Sequence, residues 1–146
     1  MAELSITTLE AGDRREWERL FRGYLDFYEM RLTDAAIART WEALARDEVI
    51  HALGARLDGR LVGIAHFLEH ASTTAADVCY LQDLFTAPQA RRQGVARALI
   101  NAVCDAARAR GAGRVYWVTH ESNETARRLY DEVATNSGFI RYQIAL

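Results

Sequence analysis

The sequence contains no lysine, a single proline and only two cysteines among its 146 residues. Cys79 and Cys104 stand in apolar segments without disulfide or metal-ligand spacing. This excludes a disulfide scaffold and a zinc ribbon, and it favours a reducing cytoplasm. No apolar run reaches the roughly 18 residues that a transmembrane helix needs. The first residues carry acidic side chains and no apolar stretch, so we expect no secretory signal.

Every basic residue is an arginine, and the formal net charge of −2 implies no general affinity for nucleic acid or for anionic membranes. The charge is unevenly distributed along the chain. Residues 1–90 carry fifteen acidic residues and nine arginines, whereas residues 91–146 carry five acidic residues and nine arginines. Either this imbalance is incidental to solvated faces, or the acidic part suits a cationic ligand and the basic part an anionic one.

The length predicts one domain spanning residues 1–146, because a chain of this size can bury a sizeable core without disulfides or metals. Hydrophobic periodicity and turn signals predict ten elements in the order βααβββαβαβ. The predicted strands cover residues 4–6, 49–57, 61–69, 78–86, 114–119 and 139–144, and the predicted helices cover 13–30, 33–45, 95–110 and 124–133. This order predicts an α/β fold with a mixed sheet and helices on both faces.

The strongest local pattern is residues 84–96, LFTAPQARRQGVA, where a predicted strand ends and a helix begins after a short basic loop. The first free N–H groups of a helix carry about half a positive charge and favour a phosphate. Gly94 and Ala96 leave room for close approach of the backbone, and three arginines add charged donors. The segment matches neither a Walker loop nor a dinucleotide fingerprint. It is therefore a phosphate cradle of another type, or an ordinary junction with arginines facing solvent.

Residues 91–96, RRQGVA, resemble the Gln/Arg-x-x-Gly-x-Gly/Ala motif of the GCN5-related N-acetyltransferase (GNAT) superfamily. The predicted element order is similar to that superfamily over essentially the full chain, and residues 123–130, NETARRLY, provide a second match. Residues 23–28, 80–85 and 117–121 look most like the branch of yeast histone/polyamine and D-amino-acid acetyltransferases. The resemblance implies the GNAT fold and acetyl-CoA as co-substrate, without a metal.

The resemblance also assigns expected roles in binding the coenzyme. The backbone of Leu84, Phe85 and Thr86 would pair with the pantetheine arm like an added strand. The amides from residue 91 to residue 97 would bind the pyrophosphate, and Asn123 would bind pantetheine. The residues of this expected pyrophosphate site are Arg91, Arg92, Gln93, Gly94, Val95, Ala96 and Arg97.

Acetyl transfer to an amine needs a neutral amine, a stabilised oxyanion and a proton for the leaving thiolate. An alkylamine is only about one part in a thousand neutral at pH 7, so a base or a proton wire helps. The resemblance makes Tyr130 the candidate acid and the N–H of Phe85 the oxyanion donor. Tyr130 and Asn123 are seven residues apart, so they share one helix face. The alternative role for Tyr130 is a core tyrosine in an apolar stripe.

The catalytic base is a separate question. Polyamine-acetylating relatives typically read Leu-Glu-Asp in the fourth strand, whereas this chain reads Leu81-Gln82-Asp83. An amide cannot take a proton, so Gln82 puts the usual direct base in doubt. Asp83 is the remaining candidate, and its alternative role is a structural carboxylate bonded to backbone. Further candidates that would act through water are Glu69, His66, His120 and Glu121.

In the GNAT fold the first two helices line the acceptor groove, which places Tyr24 and Tyr28 beside Gln82 and Asp83 as expected substrate-binding residues. Aromatic rings together with carboxylates suit a cationic amine. Trp41 is either part of this groove or part of the core. We expect the acceptor to be a small molecule with a primary amine, such as a polyamine-like amine or an amino acid.

Two other functions remain open at this point. The chain is alternatively an acetyltransferase for protein lysines or N-termini, or a non-catalytic sensor that binds acyl-CoA, for which Gln82 is the support. We expect no nucleic-acid or membrane partner. A homodimer is the expected assembly, formed through the strand at residues 139–144 and the region around Trp117.

Overall fold

The structure, a computed structural model, describes residues 2–146. Its helices and strands follow the predicted order up to the last helix. They are β1 (Leu4–Thr7), α1 (Arg14–Phe27), α2 (Asp34–Arg46), β2 (His51–Leu57), β3 (Arg60–His70), β4 (Val78–Thr86), α3 (Val95–Ala109), β5 (Arg114–Tyr116) and α4 (Glu124–Val133). Short 3-10 turns cover Ala11–Asp13 and Pro88–Ala90. None of the helices within residues 2–146 has both the length and the apolar character needed to cross a membrane.

The five strands form one sheet in the order β1-β2-β3-β4-β5. The first three pairings are antiparallel, and β5 joins β4 in parallel. The parallel pairing follows from the α3 crossover, because parallel neighbours need a long connection. The α/β class and the mixed sheet that the sequence predicts are confirmed.

Helices cover both faces of the sheet, and β3 shows this most directly. Its His66 side chain contacts Trp17 of α1, and Trp17 in turn packs against Trp41 of α2. On the opposite face, a methyl group placed at Gly63 would lie 2.7 Å from Val95 of α3. Trp41 is buried in the core, which is one of the two roles that the sequence left open.

Gly63 allows α3 to pack this closely on β3, and its substitution is a test of that packing. We expect Gly63→Ala to destabilise the fold by about 1–3 kcal/mol, because the added methyl would overlap Val95 and crowd Leu99. Gly12→Ala is the matched control, since a methyl there meets nothing within 4 Å. Urea unfolding of both variants measures the difference, and equal stability of the two would contradict the packing.

The pairing of β3 with β4 contains a bulge. His66 lies opposite Asp83 and Phe67 lies opposite Leu81, so Gln82 is an extra residue on β4. Bulges bend a strand and re-aim its side chains, and they are common beside active sites. The bulge separates the start of β4, which pairs with β5, from the segment Asp83–Thr86 that leads to α3.

The predicted strand at residues 139–144 is not formed. After α4 the chain has no further strand, and Phe139, Ile140, Tyr142 and Ile144 are all strongly exposed. The apolar residues do alternate, but a strand needs a neighbouring strand for its backbone hydrogen bonds. The tail pairs with none of the five strands. The predicted strand at 114–119 is also shorter than expected and ends at Tyr116.

Candidate active site

The loop between β4 and α3 presents unused backbone donors. Arg92 and Gly94 both have left-handed backbone, with φ of 62° and 79°, and the helix begins immediately afterwards at Val95. The first helical N–H to find a carbonyl is that of Ala98, which bonds to Gly94 at 3.0 Å. No side chain caps this end of α3. The N–H groups of residues 95–97 therefore face outward with the positive end of the helix dipole.

The side chains of this loop divide into exposed and engaged groups. Arg91, Arg92 and Gln93 are exposed beside the helix end. The Arg97 guanidinium instead forms a salt bridge with Glu132 of α4, so Arg97 offers its amide rather than its side chain to a ligand. A methyl at Gly94 would meet no atom within 4 Å, so the space in front of the helix is open. The geometry suits a phosphate group held mainly by backbone.

The strand that leads into this loop has an open edge. On one side, Leu84, Phe85 and Thr86 pair with β3. On the other side, β4 pairs with β5 only from Val78 to Tyr80, so the backbone beyond Tyr80 has no strand neighbour there within residues 2–146. Such an edge can accept an extended ligand with amide groups as if it were another strand. The open edge and the α3 N-terminus are consecutive along the chain.

Asp83 lies where the bulge meets α1. Its carboxylate lies 2.8 Å from Nδ1 of His66, and the His66 Nε2 accepts a hydrogen bond of 2.9 Å from the Trp17 indole. Burial, followed by the charge of Asp83 and a hydrogen bond to it, raises the pKa of Tyr24. Burial and the same charge also raise the pKa of Tyr28. Both phenols therefore stay neutral around a carboxylate at neutral pH.

An aromatic wall borders this carboxylate. Tyr24 stands 4.9 Å from Tyr28 between ring centroids, and Tyr28 stands 5.7 Å from His120. The adjoining groove measures about 370 Å³, a volume in the range of small-molecule sites. Its lining residues are Phe27, Tyr28, Glu29, His120, Ser122 and Asn123.

Tyr130 lies on α4. Its ring meets Trp117 edge to face at 5.3 Å between centroids. Burial, with a smaller contribution from Tyr28, raises the pKa of Tyr130 to about 12. The phenol therefore keeps its proton at neutral pH, as a proton donor must. Asn123 begins the same helix, where its side chain accepts a hydrogen bond from the N–H of Ala126.

Comparison with known proteins identifies the family of this chain. The model of the acetyltransferase (GNAT) family matches residues 15–134. The chain belongs to the GNAT acetyltransferase family. It is 32% identical over 143 residues to the D-amino-acid N-acetyltransferase HPA3 of Saccharomyces cerevisiae, covering 94% of this chain and 88% of that protein. It is 26% identical over 136 residues to the thialysine N-epsilon-acetyltransferase of Caenorhabditis elegans, covering 91% and 83%.

A solved structure confirms the fold of this acetyltransferase. The aminoglycoside acetyltransferase AAC(6')-Iy, in complex with a bisubstrate analog, superimposes with a TM-score of 0.87 over 99% of both chains. Its sequence is 18% identical, so the likeness concerns the fold. The resemblance to the GNAT superfamily and to its D-amino-acid and polyamine-like branch is thus confirmed. The chain is an N-acetyltransferase.

The structure brings most expected site residues of the acetyltransferase together. Tyr28 lines the groove, its ring packs against that of Tyr24, and the charge of Asp83 raises the pKa values of both phenols. Tyr130 is close enough to Tyr28 for that neighbour to contribute to its raised pKa. Gln82 is exposed at the bulge. Glu69 lies apart from this groove, where it contacts His51 and Arg110 at 3.2 and 3.4 Å.

Both thiols lie outside the groove. Burial raises the pKa of Cys79 to about 11 and raises that of Cys104 as well. A nucleophilic cysteine needs the thiolate form, and burial disfavours it at both positions. Across residues 2–146 no group of three or more His, Cys, Asp or Glu side chains is placed to hold a metal ion.

The sequence offered His66 only as one of four candidates that would act through water, and it gave Trp17 no role at the site. The structure places His66, fully buried, against Asp83 and places Trp17 against His66. Trp17 and His66 are 49 positions apart, and no local pattern links them. The one available signal was a histidine in an otherwise apolar strand, where a buried imidazole needs polar partners.

Proposed function

We propose that this acetyltransferase transfers an acetyl group from acetyl-CoA to the primary amine of a small molecule. The open edge of β4, which continues directly into the uncapped N-terminus of α3, carries the proposal. An extended ligand that carries amides at one end and phosphates at the other suits this arrangement. Acetyl-CoA has this chemistry. Relatives named for D-amino acids and thialysine support a small amine as acceptor.

In this proposal the pantetheine arm pairs with the backbone of Leu84, Phe85 and Thr86. The pyrophosphate binds the amides of residues 91–97, and the exposed guanidinium groups of Arg91 and Arg92 add charged donors. Asn123 lies at the start of α4 and lines the groove, which supports its role beside the pantetheine. The expected site is thus formed chiefly by backbone groups.

The reaction proceeds by direct attack on the thioester. The amine nitrogen forms a bond to the acetyl carbonyl carbon, and the Phe85 N–H stabilises the oxyanion that develops. The carbon–sulfur bond then breaks, and the leaving thiolate takes the phenol proton of Tyr130. Before the attack, the ammonium loses one proton to Asp83, directly or through water. After it, the second nitrogen proton passes through water to the Tyr130 phenolate, and Asp83 returns its proton to solvent. The raised thiol pKa values of Cys79 and Cys104 support direct attack over an acetyl-cysteine intermediate.

The acceptor binds between Tyr24, Tyr28 and the bulge of β4. The Asp83 carboxylate attracts the ammonium form of the amine, and the aromatic rings provide faces for a cation. Gln82 is exposed beside Asp83, where its amide can bond to a polar group of the acceptor without taking a proton. We assign substrate binding to these four residues, with Asp83 also acting as the base.

A thiol-release screen tests the proposed function. Purified protein with acetyl-CoA is challenged with polyamines, D- and L-amino acids, aminoglycosides and short peptides. We expect turnover with a free amine of small size. Faster turnover on peptides would instead identify a protein acetyltransferase. Bound coenzyme without thiol release from any amine would identify an acyl-CoA sensor and overturn the proposal.

We further propose a homodimer in the cytoplasm, with neither nucleic acid nor a membrane as partner. The unpaired thiols support a reducing compartment. The tail supports the dimer, because Ile140, Tyr142 and Ile144 alternate along the sequence as in a strand and are all exposed. A second copy of the chain can cover them by pairing with the tail.

Tail substitutions test the dimer. We expect the wild-type chain to run as a dimer in light scattering at micromolar concentration and Ile144→Asp to run as a monomer, because a charge cannot be buried unpaired in an apolar contact. Gln143→Ser changes the opposite side of the tail and should leave the dimer intact. A wild-type monomer at the same concentration would refute the assembly.

A further inference from the structure

A line of hydrogen-bonded side chains extends from the core to Asp83, and its buried part has no role in the reaction proposed for this site. Trp17 donates to Nε2 of His66 at 2.9 Å, and Nδ1 of His66 lies 2.8 Å from Oδ2 of Asp83. Trp17 and His66 are both fully buried, whereas the Asp83 side chain keeps 14% of its surface exposed. The line therefore runs from the core outward to the carboxylate at the groove. It joins α1, β3 and β4, the elements that meet at the bulge.

The partners of His66 fix which ring nitrogen carries the proton. An indole N–H can only donate, so Nε2 must be the unprotonated acceptor. Nδ1 then carries the hydrogen and donates it to Asp83. A hydrogen on Nε2 would point at the indole N–H, so two donors would face each other without an acceptor. No water can lie between them, because the ring is fully buried. The two partners therefore fix a single tautomer of the His66 ring.

The line also orients Asp83. One carboxylate oxygen is occupied by the His66 N–H, and the Tyr24 phenol of α1 is close enough for the Asp83 charge to raise its pKa. The bond to a fully buried ring restricts rotation of the carboxylate, whose side chain stays partly exposed. A preorganised carboxylate loses less entropy when it accepts the amine proton.

We propose that His66 is a positioning residue for acetyl transfer, locked by Trp17 as the Nδ1–H tautomer so that it aims the Asp83 carboxylate at the acceptor amine. The assignment rests on the proposed function of the site and deepens it. Because the Trp17 indole N–H already occupies Nε2, we assign His66 no role in taking up the amine proton. The groups around the ring are Asp83 from β4, Trp17 and Phe21 from α1, and Ala52 opposite it on β2.

Nitrogen-15 NMR of the imidazoles tests the lock without measuring activity. The His66 signal is assigned by its loss in His66→Asn, which separates it from those of His51, His70 and His120. We expect the Nδ1–H tautomer at neutral pH. In Trp17→Phe, which removes the indole N–H together with part of the ring, Nε2 loses its donor and the Nε2–H tautomer should become populated. A predominant Nε2–H tautomer in the wild type would overturn the proposal.

Steady-state kinetics test the positioning. His66→Asn places a side-chain amide where Nδ1–H stood, so its N–H can still reach Asp83, whereas His66→Leu cannot donate. We expect kcat/KM for the amine to fall about tenfold or more in the leucine variant and less than threefold in the asparagine variant. The affinity for acetyl-CoA should be the same in both. Equal losses in the two variants, or none in either, would overturn the positioning role.

One control variant keeps the kinetic result interpretable. Ile64→Val removes a buried methyl from the same face of β3 and should leave kcat/KM unchanged while lowering the melting temperature, which separates lost stability from lost positioning. Failure of the proposed acetyltransferase function would give a different experimental result. A wild type that binds acetyl-CoA, shows the Nδ1–H tautomer and releases no thiol from any amine would refute the acetyltransferase mechanism while leaving the tautomer lock in place.

Discussion

Replacing Tyr130 by phenylalanine should lower kcat by 10²–10⁴, the usual contribution of a positioned proton donor, while leaving the affinity for acetyl-CoA within about twofold. The substitution removes only the hydroxyl group. The ring keeps its edge-to-face contact with Trp117, so the fold and the coenzyme site should persist. Initial rates of thiol release, together with calorimetric titration of the coenzyme, separate the two quantities.

The raised pKa of Tyr130 determines how the rate of thiol release should depend on pH. Because the phenol keeps its proton until about pH 12, the wild-type rate should show no loss from Tyr130 ionisation between pH 6 and pH 10. The rate should instead rise over this range as more of the amine becomes neutral. Tyr116→Phe is the matched control, since Tyr116 bonds to His70 at 2.9 Å on the far part of the sheet. Wild-type turnover in Tyr130→Phe across this range would show that Tyr130 is not the acid.

Asp83→Asn should have the second large effect, a fall of about 10² or more in kcat/KM for the amine, since the loss of a general base costs at least this factor. The change preserves size but removes both the charge that attracts the ammonium and the acceptor for its proton. Asp105→Asn is the control, because Asp105 is an exposed carboxylate on α3 that pairs with Arg108. We expect the control to match wild-type activity.

A spectroscopic readout accompanies that substitution. The charge of Asp83 contributes to the raised pKa values of Tyr24 and Tyr28. Removing the charge should lower both pKa values, while burial keeps them above the usual value for tyrosine. Ultraviolet titration measures the shift. A variant that shows the shift but retains activity within threefold of wild type would remove Asp83 from the proton path.

The sequence predicted the local features of the site well. The start of α3 was predicted at Val95 from the helical spacing of its apolar residues and from Gly94 immediately before it. Similarly, Asn123 and Tyr130 were placed on one helix face from their spacing alone, and α4 has the predicted bounds. Helix ends and turns are decided by neighbouring residues, so they can be read from one segment at a time.

The network behind Asp83 could not be predicted in the same way. The contact of Trp17 with His66 depends on how α1 crosses β3, and the alignment of His66 with Asp83 depends on the register of two strands. The bulge at Gln82 shifts that register by one residue, and nothing in the local pattern marks it. A shift of one residue in a strand reverses which side chains face the helix.

The tail at residues 139–144 also separates what the local sequence decides from what tertiary contacts decide. Its alternating apolar residues predicted a strand, yet no strand forms there within residues 2–146, and these side chains are strongly exposed. The amino-acid sequence by itself determined the elements up to α4, the junction between β4 and α3 and the acetyltransferase family, because these depend on short-range chemistry. Only the tertiary structure decided which carboxylate is held at the groove, what holds it and whether the tail finds a neighbour, because pairing and burial depend on groups that are distant along the chain.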